Sequence, residues 1–545
     1  MLGSLIARLL GRRPAASRTA GSVSASPERL QAAQAALNVG DHLRAQALAR
    51  EQLASGEQAA AAWSVLGLSA KAQGDFDPAQ AALEQALTLV EQGAVQDRAR
   101  LHTHLGQVLW SKALTREAMA QFRAALALDP DYLKARSALL YCLSFTEGVT
   151  PEVIAAEYAG FGRRHALPPQ AGSPAHANPR DPARRLRVGY SAFSFANRVN
   201  LPYLEPVFRA HDPARVELVL FDDGPDHAQA QAALGGLVQG WHRTRGMDDA
   251  RFAALVREQG IDVLVDLSGH LNDNRLLAFA RGPAPVQVSW LSYPQSTGVP
   301  AIGYRITDWH CDPDGSDQHY NETLLRLPHS YWCYAPPEDP APGPLPALAR
   351  GHVTFGSFNN HRKISDASLA LWARLLARLP DARMHFVTVP PGASHARILA
   401  AFAREGVAAD RIRIDGWLTE AEYRARWNEV DIALDPFPYN GATTTLDALW
   451  MGVPVVTLGG DTCASRAALN ILTSAGLPQY VAGDEAGYLD IAAALAADLP
   501  ALSALRAGLR TRMRASPLMD APAFTRALED CYFQAWRAWC AGPKS

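Results

Sequence analysis

The 545-residue chain is short of the features that usually declare a function. Its six cysteines (Cys142, Cys311, Cys333, Cys463, Cys531 and Cys540) are scattered, with no CxxC pair. That spacing argues against a disulfide frame or a cysteine-rich zinc site and points to free thiols in a reducing compartment. No stretch reaches the roughly 18 uncharged apolar residues of a membrane span. With 52 basic and 54 acidic side chains, the formal net charge of −2 leaves no basic excess for general binding to nucleic acid or an anionic membrane surface. There is no HExxH, GxSxG or Walker-type glycine loop, which disfavours a zinc protease, a serine hydrolase of that fold and a P-loop ATPase. The N-terminus, MLGSLIARLLGRRPAAS, interrupts its short apolar run with Arg8 and places more arginines after it. A secretory signal has the opposite order, so residues 1–26 are expected to be a loose tail and the protein to be cytoplasmic.

What the chain does have is internal repetition. A hydrophobic content of 48% with 19% charged residues suits a folded protein of two to four domains. From residue 27 to 165 the sequence is rich in Ala and Leu and lacks strand-like runs. Gly40-Asp41 recurs 34 residues on as Gly74-Asp75, and Ala45 and Leu53 recur as Ala79 and Leu87. The next register is 39 residues: Gly67 maps to Gly106, Ala79 to Ala118 and Leu87 to Leu126. With Trp63 to Gly67 and Ala127-Leu128-Asp129-Pro130, this fits the tetratricopeptide pattern, in which small residues let paired helices pack closely. Three repeats and a closing helix pair are expected. Such arrays present a concave surface, whose usual use is to hold a peptide or protein.

A Pro-rich linker, residues 166–185, separates the repeats from a different pattern. LRVGYSAF, VELVLF, IDVLVDLSG and PVQVSWLSY are short apolar runs divided by helical stretches, as in a parallel doubly wound sheet. A second Pro-rich segment, 335–349, precedes a second series: HVTFGSF, ARMHFVTV, RIRIDG, VDIALD and PVVTL. The fold expected is therefore an α-helical tetratricopeptide domain followed by two Rossmann-like α/β lobes, 186–334 and 350–545. Ligands of such sheets bind beyond the carboxyl ends of the strands.

Chemistry-bearing residues cluster on loops at those ends. The stretch from Val430 to Leu458 reads as strand, loop and helix start, with Thr443, Thr444 and Thr445 opening the helix and Asp447 in its first turn. Free N–H groups and the positive end of the helix dipole suit a phosphate, and Asp447 suits a ribose diol. The same pattern also fits an ordinary N-cap with an acidic first turn. Asn359, Asn360, Arg362 and Lys363 follow the first strand of the second lobe, as a phosphate subsite or a solvated basic loop. In the first lobe His270 and the Tyr293-Pro294 pair follow strands; a lone histidine at a strand end is more often structural than catalytic.

Taken together, RVGYSAFSFANR, IDVLVDLSGHLNDNRLLAFARGPAPVQVSWLSYP, FGSFNNHRKIS, LDPFPYNGATTTLDALWMGVPVVTL and DTCASR resemble, in order, the catalytic region of the protein O-linked N-acetylglucosaminyltransferases and their SPINDLY-like relatives. Those enzymes also carry tetratricopeptide repeats in front. The resemblance implies a GT-B fold and an inverting, metal-independent transfer from a nucleotide-sugar donor, by default UDP-N-acetylglucosamine, to Ser or Thr of a protein held by the repeats. No cofactor, nucleic acid or membrane is implied. By position, Lys363 matches the lysine on the donor diphosphate, Thr443 and Thr444 the phosphate-binding threonines, and Asp447 the residue holding the ribose. Asn360 stands where animal enzymes have a Gln near the phosphates. Leu418 matches a backbone contact to uracil, Tyr423 the side chain beside the base, and Arg426 a nearby basic residue.

The sequence also departs from the family. Arg198 stands at a usual His, Ser194 at an Asp, and Ser292 and Gln295 at the glycines that flank Tyr293-Pro294 on the sugar and acceptor side. Ala442 and Tyr423 each stand where animal enzymes have a His. These changes leave the base open, with His270 or a donor-phosphate oxygen as candidates. They also leave three alternatives: a nucleotide-binding repeat adaptor with weak catalysis, a transferase using GDP-fucose or UDP-glucose, or one acting on a small molecule.

Overall fold

The computed structural model describes residues 26–91, 93–166, 176–271, 273–336 and 341–542. The expected N-terminal tail, apart from Ser26, and parts of both expected linkers lie outside that set.

Eight helices come first: α1 (Ser26–Asn38), α2 (His42–Ala54), α3 (Ala59–Ala72), α4 (Phe76–Leu89), α5 (Val95–Ser111), α6 (Thr115–Leu128), α7 (Leu133–Leu143) and α8 (Pro151–His165). The recurring glycines explain the pairing. Between the helices of successive pairs stand Gly40 (φ +81°), Gly74 (φ +80°) and Ala113 (φ +60°), so the third copy holds the same left-handed turn without a glycine. Gly67 and Gly106 set helix separation, because a Cβ there would stand 2.7 Å from Leu83 and 2.6 Å from Phe122. The array is three helix pairs and a closing pair, α7–α8.

Two parallel sheets follow. The first has the order β3-β2-β1-β4-β5-β6-β7, with β1 at Leu186–Ala192, β2 at Val216–Asp222, β3 at Gly240–Arg243, β4 at Val263–Asp266, β5 at Val286–Ser289, β6 at Tyr304–Asp308 and β7 at Thr323–Leu327. The second has the order β10-β9-β8-β11-β12-β13, with β8 at Thr354–Ser357, β9 at Arg383–Phe386, β10 at Ile412–Ile414, β11 at Ile432–Leu434, β12 at Val455–Leu458 and β13 at Val481–Ala482. Strands β1, β4, β8 and β11 are almost wholly buried, as strands covered by helices on both faces must be. In each sheet the order reverses beside the first strand, β1 against β4 and β8 against β11, and the site loops leave from those four ends. Among the described residues no single helix is long and apolar enough to cross a membrane.

One element departs from the expected division. The last helix, Ala521–Ala541, falls in the range assigned to the second lobe, yet it packs on the first. The Tyr532 hydroxyl lies 2.9 Å from that of Tyr190, and Arg215 donates to Glu529 at 2.8 Å. Its buried stripe of Phe524, Leu528, Tyr532, Ala535 and Trp536 recurs at helical spacing and finds its core on the first lobe.

The repeats touch both lobes. A Cβ on Gly162 of α8 would stand 2.0 Å from the carbonyl oxygen of Gly298, and one on Gly298 2.2 Å from that of Tyr158, so helix and first-lobe loop meet backbone to backbone. On the second lobe, Asp77 of α4 accepts from the Ala393 N–H at 3.0 Å, and His361 Nε2 lies 3.2 Å from the Lys112 carbonyl.

Candidate active site

The loop after β11 is organised by a buried carboxylate. Asp435 accepts from the Gly441 N–H and from the Thr457 hydroxyl, each at 2.7 Å, which folds residues 435–441 back on themselves. Asn440, fully buried, donates to the Pro436 carbonyl at 3.0 Å. Only glycine suits position 441, where a Cβ would stand 2.6 Å from Asn359 Oδ1 and 2.9 Å from Asp435 Oδ1. The loop delivers the chain to the helix Thr443–Trp450, which begins after Ala442 with no side-chain cap. An uncapped first turn keeps its N–H groups and the positive dipole end available to an anion.

Lys363 closes this site from the loop after β8. Its ammonium donates to the Asn440 carbonyl at 2.7 Å and lies 4.2 Å from the centre of the Tyr439 ring. Burial pulls its pKa down to about 8 against the opposing attraction of Asp435, while burial pushes Asp435 up. Of the two adjacent amides it is Asn359 that is buried against Gly441; Asn360 is exposed and caps the short turn His361–Lys363 by accepting from the Arg362 N–H at 3.1 Å.

The three threonines differ. Thr443 Oγ1 accepts from the Tyr203 hydroxyl of the first lobe at 2.8 Å, and Thr444 is half-buried in the first turn. Thr445 is buried, its hydroxyl donating to the Gly441 carbonyl at 2.9 Å, so of the expected three its hydroxyl is spent on the loop.

Asp447 is nearly sealed. Its carboxylate accepts from Arg198 of the first lobe, from the Tyr334 hydroxyl at 2.8 Å and from the Tyr423 hydroxyl at 3.1 Å. The Arg198 guanidinium also lies 4.3 Å from the centre of the Tyr423 ring. Burial raises the Asp447 pKa, and Arg198 is the largest influence lowering it. Arg198, expected on the acceptor side, thus lies against residues expected to hold the donor: it covers the tyrosine expected beside a base and holds the carboxylate expected to hold a ribose. Leu418 packs half-buried at the rim, next to Trp417, which is 82% exposed.

Three expectations need correction. His270 is fully enclosed rather than poised in the cleft. Its Nε2 lies 2.8 Å from the Thr297 carbonyl oxygen and its Nδ1 3.1 Å from the Ser137 hydroxyl of α7. The rings of Tyr158, Phe161 and Tyr293 surround it, and burial pulls its pKa down to about 4. With both nitrogens engaged it ties the first lobe to the repeats. Tyr293 and Pro294 are buried at the same seam, where the Tyr293 hydroxyl bonds that of Tyr158 and its carbonyl accepts from Arg305 at 2.9 Å. Arg426, expected as a basic residue near the base, has its charge engaged by Asp415 at 3.0 Å and Glu429 at 2.8 Å and holds the end of β10. No pattern in the sequence marks these contacts; those of His270 with Ser137 and of Tyr293 with Tyr158 join residues 133 and 135 positions apart.

Among the described residues no three or more His, Cys, Asp or Glu side chains are grouped to hold a metal ion. Positive charge at the site comes from Lys363, the helix start and Arg198, which is paired with Asp447.

Comparison with known proteins adds to this geometry. The model of glycosyl transferase family 41 matches residues 170–335 and 345–528, and a tetratricopeptide model matches 60–90 and 99–132. The probable UDP-N-acetylglucosamine–peptide N-acetylglucosaminyltransferase SPINDLY of Petunia hybrida is 35% identical over 429 residues, covering 76% of this chain and 46% of that protein. That of Solanum lycopersicum is 36% identical over 430 residues, with the same shares, and the probable enzyme SEC of Arabidopsis thaliana 28% over 370 residues, covering 66% and 38%. The chain thus spans about half the length of the curated relatives it matches, or less. Among solved structures, a lysine-to-methionine mutant of Thermobaculum terrenum O-GlcNAc transferase superposes with a TM-score of 0.87 at 36% identity, covering 94% of this chain and 98% of that one.

Proposed function

The chain belongs to glycosyl transferase family 41, and from that premise we propose that it transfers a sugar from a nucleoside diphosphate donor to a Ser or Thr hydroxyl of a protein, with inversion and without a metal. The observation that carries this reading is the pairing of Lys363 with the uncapped helix start at Thr443. The acceptor hydroxyl oxygen attacks the anomeric carbon while the bond from that carbon to the diphosphate oxygen breaks. The leaving diphosphate gains charge, and a fixed ammonium with first-turn N–H and hydroxyl donors stabilises it where a metal would otherwise serve. Asp447 receives the ribose diol once Arg198 withdraws, and Tyr423 and Leu418 flank the base. With His270 enclosed, the hydroxyl proton passes to a phosphate oxygen of the donor.

The names of the relatives support UDP-N-acetylglucosamine as donor and a polypeptide as acceptor, with the repeats as its dock. The free cysteines, all but Cys540 buried, support a reducing, cytoplasmic setting. Incubating the protein with radiolabelled UDP-N-acetylglucosamine, UDP-glucose and GDP-fucose and a lysate of its host tests the proposal. Label on protein from one donor, lost in Lys363→Ala, supports it. Tight UDP binding without turnover of any donor would sink it and would support a second reading, a nucleotide-binding repeat adaptor, which the self-filled Asp447 site favours.

A further inference from the structure

The helices α3, α5 and α7 bring positive charge to a patch where the repeats meet the second lobe. Lys71 on α3 donates to Gln107 on α5, and Lys134 stands exposed at the start of α7. Opposite them the half-buried Arg362 lays its guanidinium 4.6 Å from the centre of the Trp110 ring of α5. Arg362 adjoins Lys363 in sequence, but the two cations face different ways. Lys363 meets Tyr439 and Asn440 on the donor side, whereas Arg362 meets the repeats.

Arg362 and Lys134 both disfavour the charge on Lys71. Among the described residues none of Lys71, Lys134 and Arg362 forms an ion pair, while nearby Lys112 is paired with Asp77 at 2.6 Å. Lys71 is pulled down to about 8 by burial, then by Arg362, then by Lys134. His104, beside Lys71, is held neutral by burial and by that lysine, and its Nδ1 has no hydrogen-bond partner. The groups that favour the charge on Arg362 are Tyr141 and Cys142, both neutral near pH 7. Uncompensated like charges cost stability, and their field attracts a ligand of opposite sign.

We propose that this cationic patch binds a carboxylate-bearing stretch of the acceptor polypeptide, so that hydroxyls flanked by Asp or Glu are the ones presented to the donor. The position argues for the acceptor over the donor: Arg362 stacks on a repeat helix, whereas the neighbouring Lys363 bonds Asn440 of the loop before the threonine-bearing helix. The inference rests on the transferase reading for the purpose of the capture, though not for the capture itself.

The test uses the full chain and short fluorescein-labelled Ser/Thr peptides with Asp/Glu flanks, with Asn/Gln flanks and with Lys flanks, read by fluorescence anisotropy without donor. Acidic peptides are expected to bind at least about tenfold tighter than the neutral set, with the preference shrinking as salt rises. The double variant Lys71→Glu/Lys134→Glu is expected to lose that preference and gain affinity for the Lys set, with UDP affinity unchanged. Unchanged UDP affinity also shows that the variant has folded. Equal binding of the three peptide sets overturns the proposal, as does weaker UDP binding in the folded variant, which would assign the charge to the donor. Acidic binding without transfer from any donor would refute the transferase reading and leave the patch standing. Transfer with no flank preference would do the reverse.

Discussion

Replacing Arg198 by alanine gives the sharpest test of the donor site. In the structure Arg198 bridges the lobes to Asp447 and covers Tyr423, the two places where a nucleoside would lie. The Arg198 side chain is 41% exposed and Asp447 only 3%. A solvent-screened arginine on a buried carboxylate, with the ring contact added, holds the closed arrangement by about 1–2 kcal/mol. A donor must displace this clasp, so that energy is subtracted from its affinity. Removing it should raise UDP affinity about 5- to 30-fold. Tyr334 and Tyr423 still donate to Asp447 in the variant, so the carboxylate does not lose all its partners. Isothermal titration of UDP into wild type and Arg198→Ala reads the effect directly. A variant that folds but binds UDP no better than wild type, or worse, refutes the clasp and makes Arg198 a ligand of the donor.

Three other outcomes follow from the same geometry. Because burial lowers Lys363 to about 8, the free protein should lose donor affinity above about pH 8, where the ammonium the diphosphate needs is deprotonated. The limb should appear in kcat/KM and vanish in Lys363→Ala, whose low affinity should be flat with pH. Gly441→Ala should abolish UDP binding while the protein stays folded by circular dichroism, since the new Cβ cannot sit 2.6 Å from Asn359 Oδ1 without moving the loop. His104, His270 and His361 are buried at or near the seam with folded pKa values of about 4, 4 and 3, below the ordinary 6.5. The unfolded chain therefore takes up protons first as pH falls, and stability present above pH 6.5 should be lost progressively between pH 6.5 and 4. A Tm measured across that range should fall less steeply in His270→Asn; an unchanged slope would refute the assignment.

How far the sequence could be read follows the range of the contacts. The 34- and 39-residue registers announced the helix pairs because each pair is built from neighbours in the chain. The strand, loop and helix start around Asp435 and Thr443 was legible for the same reason. Arg198 was not: its partner Asp447 lies 249 positions away on another lobe, and only the folded cleft brings them together. His270 looked like a strand-end histidine free to act until α7 and α8 were seen to cover it. Arg426 read as a basic residue near the base, and its pairing with Asp415 and Glu429, though they are near in sequence, shows only when β10 and the following helix are placed. The final helix carried an apolar stripe but nothing to say which lobe it would cover.

The seam between the repeats and the catalytic lobes has a mechanical consequence. The α8 backbone is pressed against the first lobe at Gly298, and α4 and the turn after α5 are bonded to the second lobe at Ala393 and His361. The final helix returns to fasten the chain to the first lobe again. The array therefore acts as a brace across the mouth, and rotating one lobe away from the other would shear helices off both. Traffic through the site falls instead to side chains such as Arg198. An acceptor strung along the repeats would press on the same brace that sets the width of the cleft.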